Sequence, residues 1–201
     1  MFSFRSALVS AFASAFMLVS ASAWPADWDI DPAHTHVGFG VKHMMISTVH
    51  GSFKTFAGTV ALDDNDVTKS KIHLEIDASS ITTGNDKRDE HLKSPDFFDV
   101  AHFPKLVFDS TSIQKGAAAG QLTITGNLTI KAVTKSVVLS VTGLTGEAKD
   151  PWNGIRRGAT ATAKINRKDF GLTWNKGLEA GGVLVGDDVN LEFEIELAKK
   201  K

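Results

Sequence analysis

The chain has 201 residues, of which 42% are hydrophobic and 22% charged, and it contains 17 glycines, five prolines and no cysteine. This composition is that of an ordinary globular protein and excludes collagen-like, disulfide-framework and wholly disordered classes. The lack of cysteine also excludes iron–sulfur clusters, thiolate zinc sites, cysteine nucleophiles and anchoring through an acylated cysteine. Any metal would have to be held by His, Asp or Glu.

The first 23 residues have the features of a secretory signal. Met1 to Arg5 is a short basic start, Ala7 to Ser20 is an apolar run, and Ala21-Ser22-Ala23 matches a small-residue peptidase site. The apolar run is shorter than the roughly 20 residues that a membrane-spanning helix needs. We therefore predict cleavage after Ala23, which leaves one domain over residues 24–201.

The charge of this mature chain is close to balanced. Removal of residues 1–23 takes away only Arg5, which leaves 21 basic and 23 acidic residues and a net charge of −2. Such a surface gives no electrostatic reason to expect a nucleic-acid partner.

From Trp28 onward the apolar residues recur with a period of two, which is typical of β-strands. The clearest case is Val189 to Leu197, where five apolar residues alternate with four polar ones. About eight strands are predicted, broken by Gly, Asp, Asn and Pro turn signals: Val37 to His43, Phe53 to Leu62, Ile72 to Ala78, Leu106 to Ile113, Gln121 to Ile130, Ser136 to Leu144, Gly158 to Arg167 and Val189 to Leu197. An even number of antiparallel strands with little helix favours an all-β, closed eight-stranded barrel, and a two-sheet sandwich remains the alternative.

One charged segment departs from this pattern. Residues 83–93 (TGNDKRDEHLK) carry Thr83 and Asn85 as candidate N-caps, and proline at position 95 disfavours helix at the residue before it. We predict a short helix at about residues 84–93, on which Arg88, His91 and Leu92 share one face. Asp89 and Lys93 can pair along another face of the helix.

Residue parity predicts what faces the barrel interior, which in a barrel of this size is either filled or holds one small ligand. On the strand from residue 37 the inward set is Val37, Phe39, Val41 and His43, continuing to Met45. On the strand from residue 158 it includes three alanines at 159, 161 and 163, which make one wall shallow. The alternative to a ligand cavity is a filled interior, in which large residues of one wall pack against the small residues of the other, and this alternative stays open. Phenylalanines at 97, 98 and 103 follow the helix in a loop and favour a cavity, because they need a dry surface near the barrel mouth.

Residues that carry chemistry are sparse. His34 and His36, with His43 and His50 downstream, make a zinc or copper site conceivable, but no complete ligand-spacing motif occurs. The chain has no G-x-S-x-G elbow, H-E-x-x-H pair, phosphate loop or dinucleotide fingerprint. We therefore predict no metal, no catalytic residue and no enzymatic activity.

Several segments together resemble the YceI-like family of bacterial secreted proteins, in the family's order and over essentially the whole mature chain. They are Ile30-Asp31-Pro32-Ala33-His34-Thr35, Phe39 with Val41-Lys42-His43-Met44, Gly51-Ser52-Phe53, Thr83-Gly84 with Arg88-Asp89-Glu90-His91-Leu92-Lys93, Asp96-Phe97-Phe98-Asp99-Val100, Phe103-Pro104, Gly126-Asn127-Leu128-Thr129-Ile130, Asn166-Arg167-Lys168-Asp169-Phe170-Gly171 with Trp174, and Val185-Gly186-Asp187-Asp188-Val189.

The resemblance implies a lipocalin-like antiparallel barrel, with a helix over it, that carries a long isoprenoid such as polyprenyl phosphate or ubiquinone. It adds no catalytic residue. The function expected is that of a periplasmic carrier or store, and the expected partner is the isoprenoid lipid. Transient contact with a membrane surface and a homodimer are left open.

On this basis we assign candidate site residues. The lipid pocket comprises Phe39, Val41, His43, Met45, Phe53, Phe97, Phe98, Phe103, Phe108, Ala159, Ala161, Ala163, Phe170 and Trp174. The head group is assigned to Arg88, His91 and Arg167, although arginines at such positions are often engaged in ordinary ion pairs. The alternatives are an enzyme acting on small amphiphiles, metal-assisted through His43, and an empty barrel that serves as a stress-related interaction module.

Overall fold

The computed structural model describes residues 28–179 and 181–200. In this part of the chain there are twelve strands and one α-helix: β1 (Trp28–Ile30), β2 (His36–His43), β3 (Ser47–Phe53), β4 (Phe56–Ala61), β5 (Lys71–Asp77), β6 (Ile81–Thr82), α1 (Asp86–Lys93), β7 (Lys105–Lys115), β8 (Leu122–Ile130), β9 (Val133–Thr142), β10 (Ala148–Lys149), β11 (Ile155–Asn166) and β12 (Val185–Lys199). The predicted signal peptide and its cleavage site lie outside the described residues.

The strands form a closed antiparallel barrel. β11 and β12 pair along their whole length, from Arg156 opposite Ala198 to Asn166 opposite Asp188, and this pairing joins the two sides of the sheet. Three of the eight strands around the barrel are each divided into two segments. These pairs of segments are β1 and β2, β3 and β4, and β5 and β6. The predicted eight-stranded barrel with a short helix is confirmed, and closure excludes the two-sheet sandwich.

The interruption between β3 and β4 was not predicted. The sequence pattern indicated one strand from Phe53 to Leu62, whereas β3 ends at Phe53 and β4 begins at Phe56. At the break, the Ser80 hydroxyl accepts hydrogen bonds from the backbone N–H groups of Lys54 and Thr55, at 3.1 and 3.0 Å. A side chain thus replaces the missing strand partner, which periodicity cannot reveal.

The helix lies where the sequence places it. α1 begins after Asn85, whose side chain accepts a hydrogen bond from the backbone of Arg88, and it ends at Lys93. The cap supplies an acceptor to a helical N–H that has no partner within the helix. No helix in the described ranges is long and apolar enough to cross a membrane.

The two ends of the barrel differ. At one end Trp28 is 1% exposed, and its ring is covered by Arg157 and Lys199 at 5.3 and 5.4 Å. At the other end lie α1 and the turn between β2 and β3. The candidate functional site is at this second end, which we call the mouth.

Candidate functional site

An apolar cavity occupies the interior of the barrel below the mouth. The space that the centre of a water molecule can reach is about 130 Å³, which corresponds to room for about ten waters. Arg167 is the one polar side chain among the described residues that line it. The lining residues are Val37, Gly38, Phe39, Val41, Phe53, Ile76, Leu92, Phe97, Phe98, Leu106, Leu128, Ile130, Ile165, Arg167, Leu172, Val185, Val189, Leu191 and Phe193.

Alternation along β2 builds one wall of this cavity. Phe39 and Val41 point inward, and a Cβ added at Gly38 or Gly40 would point to the outer side, as parity predicts, although the backbone of Gly38 borders the cavity. The Phe39 ring lies across Gly51 of β3, where an added Cβ would come within 2.4 Å of the ring. Glycine at this position therefore allows the aromatic wall to lie flat against the neighbouring strand.

A second space opens at the mouth and adjoins the cavity. It measures about 220 Å³ on the same scale and shares Phe39, Val41, Leu92, Phe97 and Val185 with the cavity lining. Its remaining lining residues are mostly polar or charged at the outer side: Lys42, His43, Val49, Thr83, Arg88, His91, Trp174 and Leu184. The site therefore changes from apolar inside to cationic at its entrance.

His91 is held in the mouth by aromatic and acidic neighbours. Its ring stands edge-on to Trp174 and Phe97, with centroids at 4.7 and 5.1 Å. Nε2 donates a hydrogen bond to the carboxylate of Asp96 at 2.8 Å. The imidazole is thus oriented within an aromatic rim.

Thr83 connects α1 to the barrel. Asp89, which is 8% exposed, accepts hydrogen bonds from the Thr82 hydroxyl and from both the backbone N–H and the hydroxyl of Thr83. Burial raises the pKa of Asp89, but the hydrogen bonds from Thr83 and Thr82 outweigh it and keep the pKa below its usual value. Asp89 therefore fixes the helix through these threonines, and the expected pair with Lys93 is absent because Lys93 pairs with Glu90 instead.

Arg88 approaches the same threonine from the mouth. Its Nε donates to the Thr83 hydroxyl at 2.7 Å and its Nη2 donates to the Thr83 carbonyl at 3.0 Å. These bonds use two of the five guanidinium N–H groups. The other three have no hydrogen-bond partner among the described residues, so the side chain is positioned and retains donors for a ligand.

Arg167 was predicted to bind a head group, and its contacts contradict that role. The side chain is buried, and its donors go to the carbonyls of Gly186, Leu172, Trp174 and Val185 and to the carboxylate of Asp187. Burial lowers the pKa of Arg167, against the opposing effect of Asp187. All five N–H groups are engaged, so Arg167 supports the loop before β12 and has none left for a ligand.

The structure brings together half of the predicted pocket residues. Phe39, Val41, Phe53, Phe97 and Phe98 line the cavity, and His43 and Trp174 line the mouth together with the predicted head-group residues Arg88 and His91. The Phe53 ring contacts two others: it is tilted against Phe39 with centroids 5.9 Å apart and edge-on to Phe98 with centroids 5.8 Å apart.

Met45 is not inside the barrel. It lies in the turn after β2, is 61% exposed and has a φ angle of 63°. Parity was extended two residues beyond His43, but β2 ends at His43 and alternation stops with the strand.

The remaining predicted pocket residues do not line the cavity of the described chain. Phe108 and Phe170 are 6% and 2% exposed and belong to the packed core, while Phe103 is half-buried beside His102 and Lys131. Of the alanines at 159, 161 and 163, Ala161 is 2% exposed and is paired with Phe193 and Val141 on the flanking strands, whereas Ala159 and Ala163 are half-buried. Complementary packing, the alternative left open, holds at Ala161.

Sequence reasoning missed more than half of the cavity lining. The missed residues are Val37 and Gly38 on β2 and the apolar set Ile76, Leu92, Leu106, Leu128, Ile130, Ile165, Leu172, Val185, Val189, Leu191 and Phe193. Most occupy inward positions of strands that were correctly predicted. Parity marks them as interior but does not tell which interior residues border open space.

A cluster of possible metal ligands lies at the far end of the barrel. Oxygen or nitrogen atoms of Asp31, His34 and Glu196 fall within 4.8 Å of one another. The Arg156 guanidinium already occupies this position, since its Nη1 lies 2.5 Å from Asp31 and 3.5 Å from Glu196. The cluster is an ion-pair network, and His43 of the metal-assisted alternative is not part of it.

With this geometry, sequence comparison identifies the family. Residues 28–197 match the YceI-like domain. The chain is 39% identical over 166 residues to Protein YceI of Salmonella newport (strain SL254), covering 82% of this chain and 85% of the relative. The chain therefore belongs to the YceI-like family, as its sequence segments indicated.

Solved structures have the same fold. The YCEI protein of Campylobacter jejuni matches with a TM-score of 0.67 and 33% identity, over 85% of this chain and 96% of that chain. A polyisoprenoid binding domain from Saccharophagus degradans, implicated in plant cell wall breakdown, matches with a TM-score of 0.63 and 15% identity, over 87% and 99%. Because only 15% of the residues are identical, the second match shows a shared fold and nothing more.

Proposed function

We propose that this protein binds an isoprenoid lipid, with the apolar tail inside the barrel and the polar head at the mouth. In this proposal it is a carrier or store in the periplasm, not an enzyme, and residues 1–23 direct its export. Intact-mass analysis of the exported protein tests the last point. The expected N-terminus is Trp24, and retention of residues 1–23 would contradict it.

The observation that carries the proposal is the apolar cavity beneath a cationic mouth. Burial of each methylene contributes roughly 0.8 kcal/mol, and the one polar side chain in the wall, Arg167, has its donors satisfied by protein oxygens. An apolar tail in the cavity therefore leaves no buried donor of this arginine without a partner. The Saccharophagus degradans domain is a polyisoprenoid binding domain and shares this fold, which supports the same ligand class for this protein.

The dimensions limit how a long tail can fit. Room for about ten waters corresponds to about two isoprene units of five carbons each. A longer tail has to separate the rings of Phe39, Phe53 and Phe98, or extend through the mouth. Tilted strands of ten residues give a barrel only about 25 Å tall, so a long polyprenyl chain bends or protrudes.

The mouth suits a head group that accepts hydrogen bonds. Arg88 supplies three N–H groups, and Lys42 and His91 line the same space. A phosphate or diphosphate takes charge-assisted hydrogen bonds from a guanidinium, whereas a quinone carbonyl takes weaker neutral-acceptor bonds. Arg88 should therefore contribute more to binding of polyprenyl phosphate than to binding of ubiquinone.

A titration with these two lipids tests the proposal. Wild type, Arg88→Ala and the control Lys87→Ala, which changes the adjacent exposed cation, are titrated while the fluorescence of Trp174 at the mouth is followed. We expect wild type to bind both lipids, and Arg88→Ala to bind polyprenyl phosphate about tenfold or more weakly with a smaller loss for ubiquinone. No binding by wild type would refute the function. Unchanged affinity of Arg88→Ala for both lipids would refute the head-group placement only.

A further inference from the structure

We propose that the turn between β2 and β3 docks the protein onto an anionic lipid surface and sets the mouth against the bilayer. Three consecutive apolar residues form this turn, Met44, Met45 and Ile46, and they are 39%, 61% and 80% exposed. The proposal rests on the proposed function, since an isoprenoid ligand resides in a bilayer until it is bound. We call these three residues the docking turn.

The backbone of the docking turn is unfavourable for the residues it carries. Met44 and Met45 have φ angles of 51° and 63°, in the left-handed region that glycine and asparagine adopt at lower cost. An exposed hairpin turn normally has those residues for this reason. Here two methionines adopt this strained backbone conformation although they bury little surface. Packing within the fold therefore does not explain why large apolar side chains occupy the turn.

The docking turn is attached to the rim of the mouth. The backbone N–H of Met44 donates to the carbonyl of Leu184 at 2.8 Å, and the N–H of Ile46 donates to the carbonyl of His43 at 3.1 Å. Leu184 and His43 both line the mouth. Insertion of the turn into lipid would therefore bring the entrance of the apolar cavity to the lipid surface.

The charge around the docking turn fits an anionic surface. The chain has no acidic residue between Asp31 and Asp63, and Lys42 lies on β2 beside the turn, whereas Lys54 is at the other end of β3. The acids at the start of β12, Asp187 and Asp188, are paired with Lys168 and Lys164. Cationic residues next to exposed apolar side chains are the combination that binds anionic leaflets.

The acids of the adjoining strand lie far from the turn. Glu192 and Glu194 on β12 are opposite Gly38 and His36. Gly38 is six residues before Met44 along β2, a separation of about 20 Å at 3.3 Å per residue. This exceeds the Debye length of about 8 Å at physiological ionic strength, so their repulsion of lipid phosphates at the turn is screened.

Vesicle flotation tests the proposal. The exported protein, with its N-terminus established by intact mass, is mixed with vesicles of phosphatidylcholine alone or with 30% phosphatidylglycerol, and neither contains isoprenoid. The test variant is Met45→Asn with Ile46→Ser. The control is Trp152→Ser, because Trp152 is 82% exposed and lies in the turn before β11, at the opposite end of the barrel.

We expect wild type and Trp152→Ser to bind the anionic vesicles and the Met45→Asn, Ile46→Ser variant to bind them about tenfold or more weakly. The variant should unfold at an unchanged or higher denaturant concentration, since asparagine tolerates the positive φ. Equal vesicle binding by the variant and wild type, or no wild-type binding to anionic vesicles, would overturn the proposal. So would a wild-type dimer that the variant dissociates in the absence of vesicle binding, which would make the turn a contact between two copies. Isoprenoid binding is measured separately, so failure of docking leaves the proposed function standing.

Discussion

At the scale of single residues, Arg167 was predicted from the sequence to contact a ligand. In the structure its guanidinium instead binds backbone carbonyls and stabilises the fold. Arg167 follows β11 directly and lies in the wall of the cavity. What parity could not show is that the loop of residues 171–174 and the start of β12 bring four backbone carbonyls around the guanidinium. Those carbonyls are distant in sequence or lie in irregular structure.

Replacement of Arg167 should therefore affect stability first. In Arg167→Met, several largely buried carbonyls lose their donors, and we expect a loss of about 2–5 kcal/mol in the free energy of unfolding. The matched control Lys168→Met removes a partly exposed ion pair with Asp187 and should cost about 1 kcal/mol or less. Urea denaturation measures both. Wild-type stability of Arg167→Met together with weaker head-group binding would restore the ligand role.

A second prediction at this scale concerns His34. The hydrogen bond that the His34 ring donates to Asp31 and the charges of Glu196 and Asp31 raise the pKa of His34 above its ordinary value of 6.5. Its contribution to stability is therefore fully present below the unfolded-state value and is lost as the pH rises through the higher folded-state pKa. The difference in unfolding free energy between wild type and His34→Gln should be largest below pH 6.5 and shrink at alkaline pH. A difference that stays constant from about pH 5 to pH 9 would contradict this.

At low pH, the stabilisation by the same ion-pair network is limited by protonation of Asp31. The hydrogen bond with His34 lowers the pKa of Asp31 more than burial raises it, and Arg156 adds to the lowering. Its stabilising contribution is present above its ordinary value of 3.8 and is lost as the pH falls through the folded-state pKa. The His34 comparison is therefore made above this range.

At the scale of elements, β11 shows why inward parity does not by itself identify a ligand wall. Ala161 and Ile165 are four residues apart and share the inward face, yet only Ile165 borders the cavity. Strand periodicity reports which face is buried. Whether that face meets open space depends on the side chains across the barrel, which come from other strands.

A matched pair of substitutions on β11 tests this distinction. Ala161→Phe enlarges a side chain in a packed layer and should lower the free energy of unfolding by about 1–3 kcal/mol or more, measured on protein stripped of lipid. Ile165→Phe enlarges one that borders open space, and we expect little change in stability and a lower content of retained isoprenoid. A stable Ala161→Phe protein with reduced lipid content would show that the alanine wall lines the binding space after all.

The attachment of α1 gives a prediction of its own. In Asp89→Asn, one of the hydrogen bonds with Thr82 and Thr83 is lost or reversed, and backbone amides of α1 should exchange with deuterium about tenfold or more faster. Asp86→Asn changes another acid in the first turn without those contacts and is the control. Wild-type exchange of α1 in Asp89→Asn would mean that Thr82 and Thr83 do not hold the helix.

Much of the fold and part of the site follow from the sequence. Alternation was sufficient to predict the long strands, and capping plus charge was sufficient to predict α1. Closure of the barrel was favoured by the even number of strands, but the structure was needed to exclude the two-sheet sandwich. The mouth residues Arg88, His91 and Trp174 were found from helix spacing and from the family resemblance. The break between β3 and β4 and the end of alternation at His43 were not predicted from the sequence. Both features depend on local hydrogen bonds and turns, which the alternation of apolar residues does not reveal.

At the scale of the whole molecule, the barrel is closed at one end by Trp28 and its cationic neighbours and opens beneath α1 at the other. The apolar interior, the cationic mouth and the docking turn all lie toward that second end. Among the described residues this polarity leaves the mouth as the opening through which, in the proposed function, an apolar tail would enter and beside which its head would remain hydrated.

The central claim, that this interior binds an isoprenoid, is tested most directly by mass spectrometry of an organic extract from natively purified exported protein. We expect one isoprenoid lipid class in amounts approaching one molecule per barrel, and less of it from Ile165→Phe. An extract without isoprenoid, from protein that also fails to take up polyprenyl phosphate or ubiquinone when these are added, would contradict it.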